Sequence, residues 1–241
     1  MAVWPYLLSV TCDDANDVFT ATRACCVQSC RVASRRKLDT KPMISTYALK
    51  QRFQSYLRPL VDRLAQTNIS ANTVTLCTMT ASCLLGLLLF FSEQETLFLL
   101  LPLWMFVRMA LNAIDGMLAQ EHGQKSRMGA YLNELTDVIS DAALYVPFVA
   151  VPPFGWPSVG AVIFLSTLCE FAGALGLSIG TCRRYDGPMG KSDRAVVFGV
   201  LGLVYGMAGQ LPSWAFWIMP AMAILLLITA FNRVRSGLAD L

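Results

Sequence analysis

Long apolar runs alternate with short polar segments along most of the chain. Six runs stand out, at residues 73–91, 97–115, 129–150, 158–180, 195–211 and 213–232. A helix of about 20 mainly apolar residues crosses the hydrocarbon core of a bilayer, and each run is close to that length. The pattern therefore predicts an all-α, polytopic integral membrane protein with about six transmembrane helices.

A different pattern precedes the first predicted span. From Ile44 to Asn68, apolar residues recur at three-to-four spacing, and Lys50, Arg52, Arg58 and Arg63 lie between them. This spacing predicts a basic amphipathic helix that lies along an anionic membrane surface, although packing on a partner protein is an alternative. Pro59 is expected to bend or interrupt this helix. Ser70 is expected to cap the first span.

Composition agrees with a membrane location. Hydrophobic residues make up 55% of the 241 residues and charged residues only 15%, and the mean hydropathy is +0.52. A soluble domain of this length needs more charge to cover its surface. The net charge of +3 is small, and we expect no nucleic-acid partner.

Residues 1–42 differ from the rest, since they mix acidic residues with a basic tail. We expect a poorly structured extension here, with a regulatory segment or an over-extended reading frame as alternatives, and a membrane domain at residues 43–241. The chain has eight cysteines, of which Cys25, Cys26 and Cys30 cluster. They lack CxxC spacing, which argues against a metal site.

The distribution of basic residues predicts the orientation. They occur before the first span, between spans two and three, between four and five, and after six, at Lys125, Arg127, Arg183, Arg184, Lys191, Arg194, Arg233 and Arg235 as well as in the amphipathic segment. The opposite loops carry no Lys or Arg. The positive-inside rule therefore predicts that both termini and the turn after Asp115 face the cytoplasm.

The second and third predicted spans contain an unusual set of polar residues. Asn112 and Asp115 are three residues apart, and Asn133, Asp137 and Asp141 follow one another at intervals of four. On a helix, these last three and Glu134 share a sector of about 100°. Acids inside a bilayer indicate a functional site, and oxygen ligands from two helices suit Mg²⁺ or Mn²⁺.

At these residues the sequence resembles the CDP-alcohol phosphotransferase family. The family signature is Asp-x-x-Asp-Gly-x-x-Ala-Arg, eight residues, then Gly-x-x-x-Asp-x-x-x-Asp. Matching positions are Asp115, Gly116, Ala119, Gly129 and Asp137, with every gap intact. Three positions differ, because Asn112 and Asn133 replace Asp and Gln120 replaces Arg.

The resemblance implies transfer of a phosphatidyl or other phosphoalcohol group from a CDP-alcohol, typically CDP-diacylglycerol, to an acceptor alcohol, with release of CMP. It implies metal binding by Asn112, Asp115, Asn133 and Asp137, with Asp137 also as catalytic base. It places Gly116, Ala119, Gln120 and Gly129 beside the nucleotide, although close helix packing is the alternative for the small residues. It also implies Mg²⁺ or Mn²⁺ as cofactor, membrane lipids as surroundings, phospholipid biosynthesis as the process, a bacterial inner membrane as the location and a homodimer.

Two further expectations concern how the chain accommodates its departures from the signature. Glu134 would restore a carboxylate ligand next to Asn133, or would simply form contacts between helices. Arg183, Arg184 and Lys191 would bind a phosphate or an anionic acceptor, or would only follow the charge rule. A catalytically degenerate membrane protein that binds lipid or nucleotide is the alternative function.

Arg108 is a second intramembrane charge. It lies seven residues before Asp115, or about 10 Å deeper along a helix. Asp141 reaches a similar depth on the antiparallel third span, and Glu170 lies within the fourth span. An isolated Arg there is costly, so we predict a structural ion pair of Arg108 with Asp141, Glu170 or both.

Overall fold

The computed structural model describes residues 46–67 and 69–239, and every regular element in these ranges is helical. The α-helices in chain order are α1 (Thr46–Gln66), α2 (Ala71–Phe91), α3 (Leu100–Glu121), α4 (Arg127–Tyr145), α5 (Trp156–Ser178), α6 (Lys191–Ala208) and α7 (Ile218–Ala239). Short 3₁₀ helices at Glu95–Leu99 and Ser213–Trp217 lead into α3 and α7, and a third at Val146–Ala150 extends α4. The prediction of an all-α protein is confirmed.

Four helical stretches of the described chain are long and apolar enough to cross a membrane. They are Ala71–Phe91, Glu95–Glu121, Trp156–Ser178 and Ser213–Ala239. The other two predicted spans correspond to α4 and α6, which are shorter, with 19 and 18 residues. Each also carries at least three charged residues, and a charge at the bilayer centre costs about 3 kcal/mol. These two helices therefore depend on ion pairs with their neighbours.

The first helix confirms the amphipathic prediction and corrects one detail of it. Helix α1 continues through Pro59 without interruption. Proline removes one backbone hydrogen bond, but packing holds the helix together, because Val61 is buried and Leu57 and Leu64 pack beside it against α2 and α3. Ser70 caps α2 as predicted, since its hydroxyl oxygen accepts a hydrogen bond from the Thr73 N–H at 3.1 Å.

Helix pairs define the rest of the architecture. Helix α2 packs on α3 and α4, α5 packs along α7, and α6 packs on α3 and its leading 3₁₀ helix. Aromatic rings fill the interior where α4 meets α6, because the Tyr145 and Phe198 rings stack with their centroids 3.8 Å apart. The polar connections 122–126 and 179–190 lie at one end of this bundle, called the charged end below, and the tryptophan-rich connections lie at the other.

Some predictions fall outside the described residues. The extension at residues 1–42, its boundary with the membrane domain and the Cys25–Cys30 cluster are among them. The cysteines within the described part of the chain, Cys77, Cys83, Cys169 and Cys182, form no disulfides. Free cysteines in membrane helices commonly act as small apolar residues.

Candidate active site

Two carboxylates on facing helices define the candidate active site near the charged end. Asp115 belongs to α3 and is buried. Its Oδ2 atom accepts a hydrogen bond from the Thr75 hydroxyl of α2 at 2.8 Å. Asp115 also lies close enough to Asp137 of α4 and Lys191 of α6 to interact electrostatically with both. Three helices thus converge on Asp115.

Asp137 is the more exposed and more heavily contacted of the two carboxylates. Its side chain is 22% exposed, and its Oδ1 atom contacts the Lys191 ammonium. The same oxygen accepts a hydrogen bond from the Asn112 amide at 3.3 Å and lies 3.5 Å from the Arg108 guanidinium. Asp137, the predicted base, therefore has three donor groups close to one of its two carboxylate oxygens, Oδ1.

The small residues of the signature have different roles. A methyl group added at Gly116 would meet no atom within 4 Å, so this glycine borders open space next to Asp115. At Gly129 an added methyl group would lie 2.8 Å from the Asn72 side chain. Ala119 packs against the apolar cluster that contains Val61 of α1. Gln120 is exposed. Only Gly116 leaves room for a ligand, and the other two small residues permit close helix packing.

Glu134 pairs with a basic residue of the connection 179–190. It contacts Arg183, whose guanidinium also lies 3.1 Å from Glu170. The arrangement favours the contact between helices over the metal ligand for Glu134. Asn133 lies one turn before Asp137 on the same helix.

The predicted contact of Arg108 with Asp141 is confirmed. The Arg108 Nη1 and Asp141 Oδ1 atoms lie 2.5 Å apart. Glu170, the other predicted partner, instead contacts Arg183, Arg194 and Arg233. These side chains form a buried ionic network that links α3 to α7.

Arg194 is a residue whose role the sequence pattern misses. Its position after the fourth span suggested an exposed loop cation, but it lies in α6 with 0% exposure. Its guanidinium lies 3.1 Å from Asp141 and 3.0 Å from Glu170. Arg233 is likewise buried. One feature of the sequence indicated that Arg194 is buried: it directly precedes the apolar run of α6.

Hydrogen bonds attach the connection 179–190 to two helices, α5 and α7. The Arg184 N–H donates to the Gly173 carbonyl of α5 at 3.1 Å, and the Met189 N–H donates to the Thr229 hydroxyl of α7 at 3.0 Å. Gly187 has a φ of +134° and passes so close to Thr229 that a side chain would collide with it. The connection therefore fixes the positions of its basic residues.

Burial lowers the pKa of the Arg183 guanidinium, an effect that Tyr185 opposes and Arg233 reinforces. Arginine nevertheless stays charged, because its ordinary pKa is far above neutral. Arg184 contacts Asp186 at 2.9 Å. Both arginines of this connection therefore already contact carboxylates of the chain.

The donor set near Asp115 and Asp137 fits a divalent cation, although with less charge than the family signature provides. The described residues contain no group of three or more His, Cys, Asp or Glu side chains that could hold a metal ion, because two signature positions are asparagine. Amide oxygens also bind Mg²⁺ and Mn²⁺, but they contribute no charge. The Lys191 ammonium contacts Asp137, so one of the two carboxylates already has a cationic partner.

Comparison with known proteins identifies the class. The CDP-alcohol phosphatidyltransferase family matches residues 68–229, so the chain belongs to this family and is a membrane-embedded transferase. It is 47% identical to inner membrane protein YnbA of Escherichia coli (strain K12), covering 81% of this chain and 97% of the relative. It is 30% identical to a phosphatidylinositol phosphate synthase of Streptomyces avermitilis, covering 87% of this chain and 91% of the relative.

A solved structure shares the fold. The phosphatidylinositol phosphate synthase of Mycobacterium tuberculosis with CDP-DAG bound aligns with a TM-score of 0.62 at 22% identity, covering 74% of this chain and 92% of that protein. The same enzyme has also been solved in complex with manganese and citrate, with a TM-score of 0.62 at 21% identity, covering 74% and 87%. Because both sequence identities are below 25%, this similarity establishes a shared fold.

Proposed function

We propose that the protein transfers a phosphatidyl or related phosphoalcohol group from a CDP-alcohol to the hydroxyl of an acceptor alcohol and releases CMP. The observation that carries the proposal is that Asp115 and Asp137, on two different helices, lie close enough to interact electrostatically, with open space at Gly116 beside Asp115. Family membership supports the reaction class, and the positions of the two aspartates support their assignment to the site.

Asp137 is the residue placed to accept the proton. The acceptor oxygen forms a bond to the phosphorus next to the lipid, the bond from that phosphorus to the CMP oxygen breaks, and the hydroxyl proton passes to a carboxylate within hydrogen-bonding reach. Asp137 is partly exposed, whereas Asp115 is buried and held by Thr75. Asp137 therefore suits proton transfer, and Asp115 suits a fixed ligand position.

A divalent cation, Mg²⁺ or Mn²⁺, would be held by Asp115 and Asp137 with the amide oxygens of Asn112 and Asn133. When bound, such an ion stabilises negative charge on the leaving phosphate oxygen. Gly116 leaves the adjoining space open. The manganese present in the mycobacterial structure is consistent with this assignment.

CDP-diacylglycerol is the proposed donor. The mycobacterial structure that shares this fold contains CDP-DAG, and a membrane domain gives access to a donor whose acyl chains stay in the bilayer. The acceptor is an alcohol, and the basic residues Arg183, Arg184 and Lys191 would face it. Each of these three residues already contacts an acid of the chain. The Lys191 side chain is the most exposed of them, so it is the one best placed to reach an anionic group.

The remaining expectations concern location and assembly. We place the protein in a bacterial inner membrane, because the Escherichia coli relative is named an inner membrane protein. The charged end and both termini would face the cytoplasm, in accord with the distribution of basic residues. A homodimer remains an expectation from family membership.

A catalytically degenerate protein that binds lipid or nucleotide is the second candidate. It is favoured by the asparagines at positions 112 and 133, the exposed Gln120 and the engagement of Asp137 by Lys191.

One assay separates the two candidates. Purified protein is incubated with CDP-diacylglycerol and a panel of alcohols that includes phosphorylated and unphosphorylated polyols, with Mg²⁺, Mn²⁺ or a chelator. CMP is measured by chromatography and the lipid product by mass spectrometry. We expect CMP release that requires both an acceptor and a divalent ion. Folded protein that binds CDP-diacylglycerol but releases no CMP with any acceptor would favour the degenerate candidate.

A further inference from the structure

Lys191 occupies an unusual position for a cation. It is the first residue of α6, where Gly190 donates its N–H to Asp193 and so fixes the start of the helix. The N-terminal end of a helix carries partial positive charge and disfavours a cation. Asp193 in the same first turn offsets part of this charge, and the Lys191 ammonium also contacts Asp137 of α4. The pair links the helix start directly to the proposed base.

The contact also changes the charge of the site. The family signature has acids at four positions, whereas this chain keeps Asp115 and Asp137 and has asparagine at the other two. Each asparagine removes one negative charge from the ligand set. The lysine adds a positive charge on one of the two remaining carboxylates. A divalent cation and the ammonium therefore compete for Asp137.

Lys191 is the cation near Asp137 that is able to leave. Its side chain is 30% exposed, and a lysine ammonium is a compact charge on a flexible stem. The neighbouring Arg108 side chain is only 4% exposed and is held by Asp141. Arg194 is even more buried, with 1% exposure, between Asp141 and Glu170.

We propose that Lys191 is a displaceable counter-ion of Asp137. In the metal-free protein it neutralises the carboxylate, and on divalent-cation binding it leaves Asp137 and turns its ammonium toward the anionic substrate. This proposal rests on the proposed function, because it assumes that Asp137 binds a divalent cation. It adds that Lys191 competes with the cation for Asp137 and thereby lowers the affinity of the protein for that cation.

Direct binding of Mn²⁺ tests the competition without an activity assay. The free Mn²⁺ signal in electron paramagnetic resonance is titrated with detergent-solubilised wild type, Lys191→Met and Lys125→Met. We expect Lys191→Met to bind Mn²⁺ roughly tenfold more tightly or better, because binding no longer has to displace an ammonium from electrostatic contact with Asp137. Lys125 is exposed in the connection 122–126, and its variant controls for net charge. It should bind Mn²⁺ like wild type.

Chemical labelling of the unmodified protein provides a second test that needs no variant. An amine-reactive ester is applied with and without Mg²⁺, and modification of each lysine is measured by mass spectrometry. Release from Asp137 should make Lys191 react several-fold faster in Mg²⁺, while Lys125 reacts at an unchanged rate. Slower or unchanged labelling of Lys191 would overturn the proposal.

The outcomes distinguish this proposal from the proposed function. If wild type and Lys191→Met bind Mn²⁺ equally, Lys191 is not a competitor, and metal-dependent transfer stands. If neither binds Mn²⁺, the metal dependence of the proposed function fails and the competition fails with it. If Lys191→Met does not yield folded protein, Lys191→Gln and the labelling experiment decide the question.

Discussion

At the scale of single residues, the two site carboxylates differ in the charge of their partners. Asp115 has a neutral hydroxyl partner, Thr75, whereas Asp137 contacts Lys191 and lies near Arg108. Asp137 is therefore the carboxylate that already has cationic partners, and in our proposal a divalent ion takes the place of the Lys191 ammonium there. The difference assigns separate roles to two residues of the same chemical type.

Replacement of Asp137 by Asn tests its role as base. We expect Asp137→Asn to keep the fold and to reduce the rate of CMP release by at least about 100-fold, the usual contribution of a positioned base. The control is Asp62→Asn, which makes the same chemical change at an exposed acid that contacts His122. Turnover of Asp137→Asn equal to that of the control would remove Asp137 from the mechanism.

Arg108 tests the buried ionic network. Removing one member of a buried pair strands the other and costs about 3–5 kcal/mol. The loss for Arg108→Leu should be at the lower end, because Asp141 keeps its contact with Arg194. We expect a clear drop in thermal stability in detergent and partial recovery when Asp141→Asn is added.

The control for this experiment is Arg58→Leu. Arg58 forms an exposed pair with Glu121, and exposed pairs contribute only about 0–1 kcal/mol. The prediction for Arg108 is wrong if both single variants have the same stability, or if the double variant is less stable than Arg108→Leu alone.

At the scale of helices, α4 contributes charged side chains both to the candidate site and to the buried ionic network. It supplies Asp137 to the site and Asp141 to the buried network, and its Glu134 contacts the connection between α5 and α6. Such a helix cannot face lipid on all sides, and α2 packs tightly along it. Gly86 of α2 lies directly against the α4 backbone at Ala143.

Gly86 therefore provides a test of helix packing. A methyl group at Gly86 would lie 2.2 Å from the Ala143 carbonyl oxygen, so Gly86→Ala forces α2 away from α4. Overpacking of this kind costs about 1–3 kcal/mol, and we expect a lower unfolding temperature together with weaker activity. Gly160→Ala is the control, since a methyl group there meets nothing within 4 Å. Equal unfolding temperatures for the two variants would contradict the close packing.

At the scale of the whole molecule, the chain separates a polar end from an apolar one. The candidate site, the buried network and the connections 122–126 and 179–190 belong to the polar end. Trp156, Trp214 and Trp217 are exposed at the other end, where tryptophan suits the membrane interface. The substrate headgroups should therefore approach from the charged end.

Cysteine labelling tests which side of the membrane this end faces. In a variant without the eight native cysteines, Glu93→Cys and Lys125→Cys place single thiols at opposite ends. We expect a membrane-impermeant maleimide to label Glu93→Cys in spheroplasts and Lys125→Cys only after permeabilisation, in accord with the positive-inside rule. The reverse labelling pattern would invert the proposed orientation.

The sequence by itself determined the class of fold and the neighbourhood of the site. Apolar runs of about 20 residues leave a helix as the simplest way to satisfy the backbone in lipid. Spacing along α3 and α4 depends only on helix geometry, so the signature positions and the Arg108–Asp141 contact were predictable from residue numbers. The periodicity of residues within each segment is enough to predict these helices and the polar residues that share a face.

Only the tertiary structure decided which charges meet. Glu134 contacts Arg183 from the distant connection 179–190, Lys191 contacts Asp137, and Arg194 is buried rather than exposed. These contacts depend on how α5, α6 and α7 pack around α4, and no local pattern specifies that packing. Electrostatic attraction in a low-dielectric interior then selects the pairs, because an unpaired buried charge is too costly to remain.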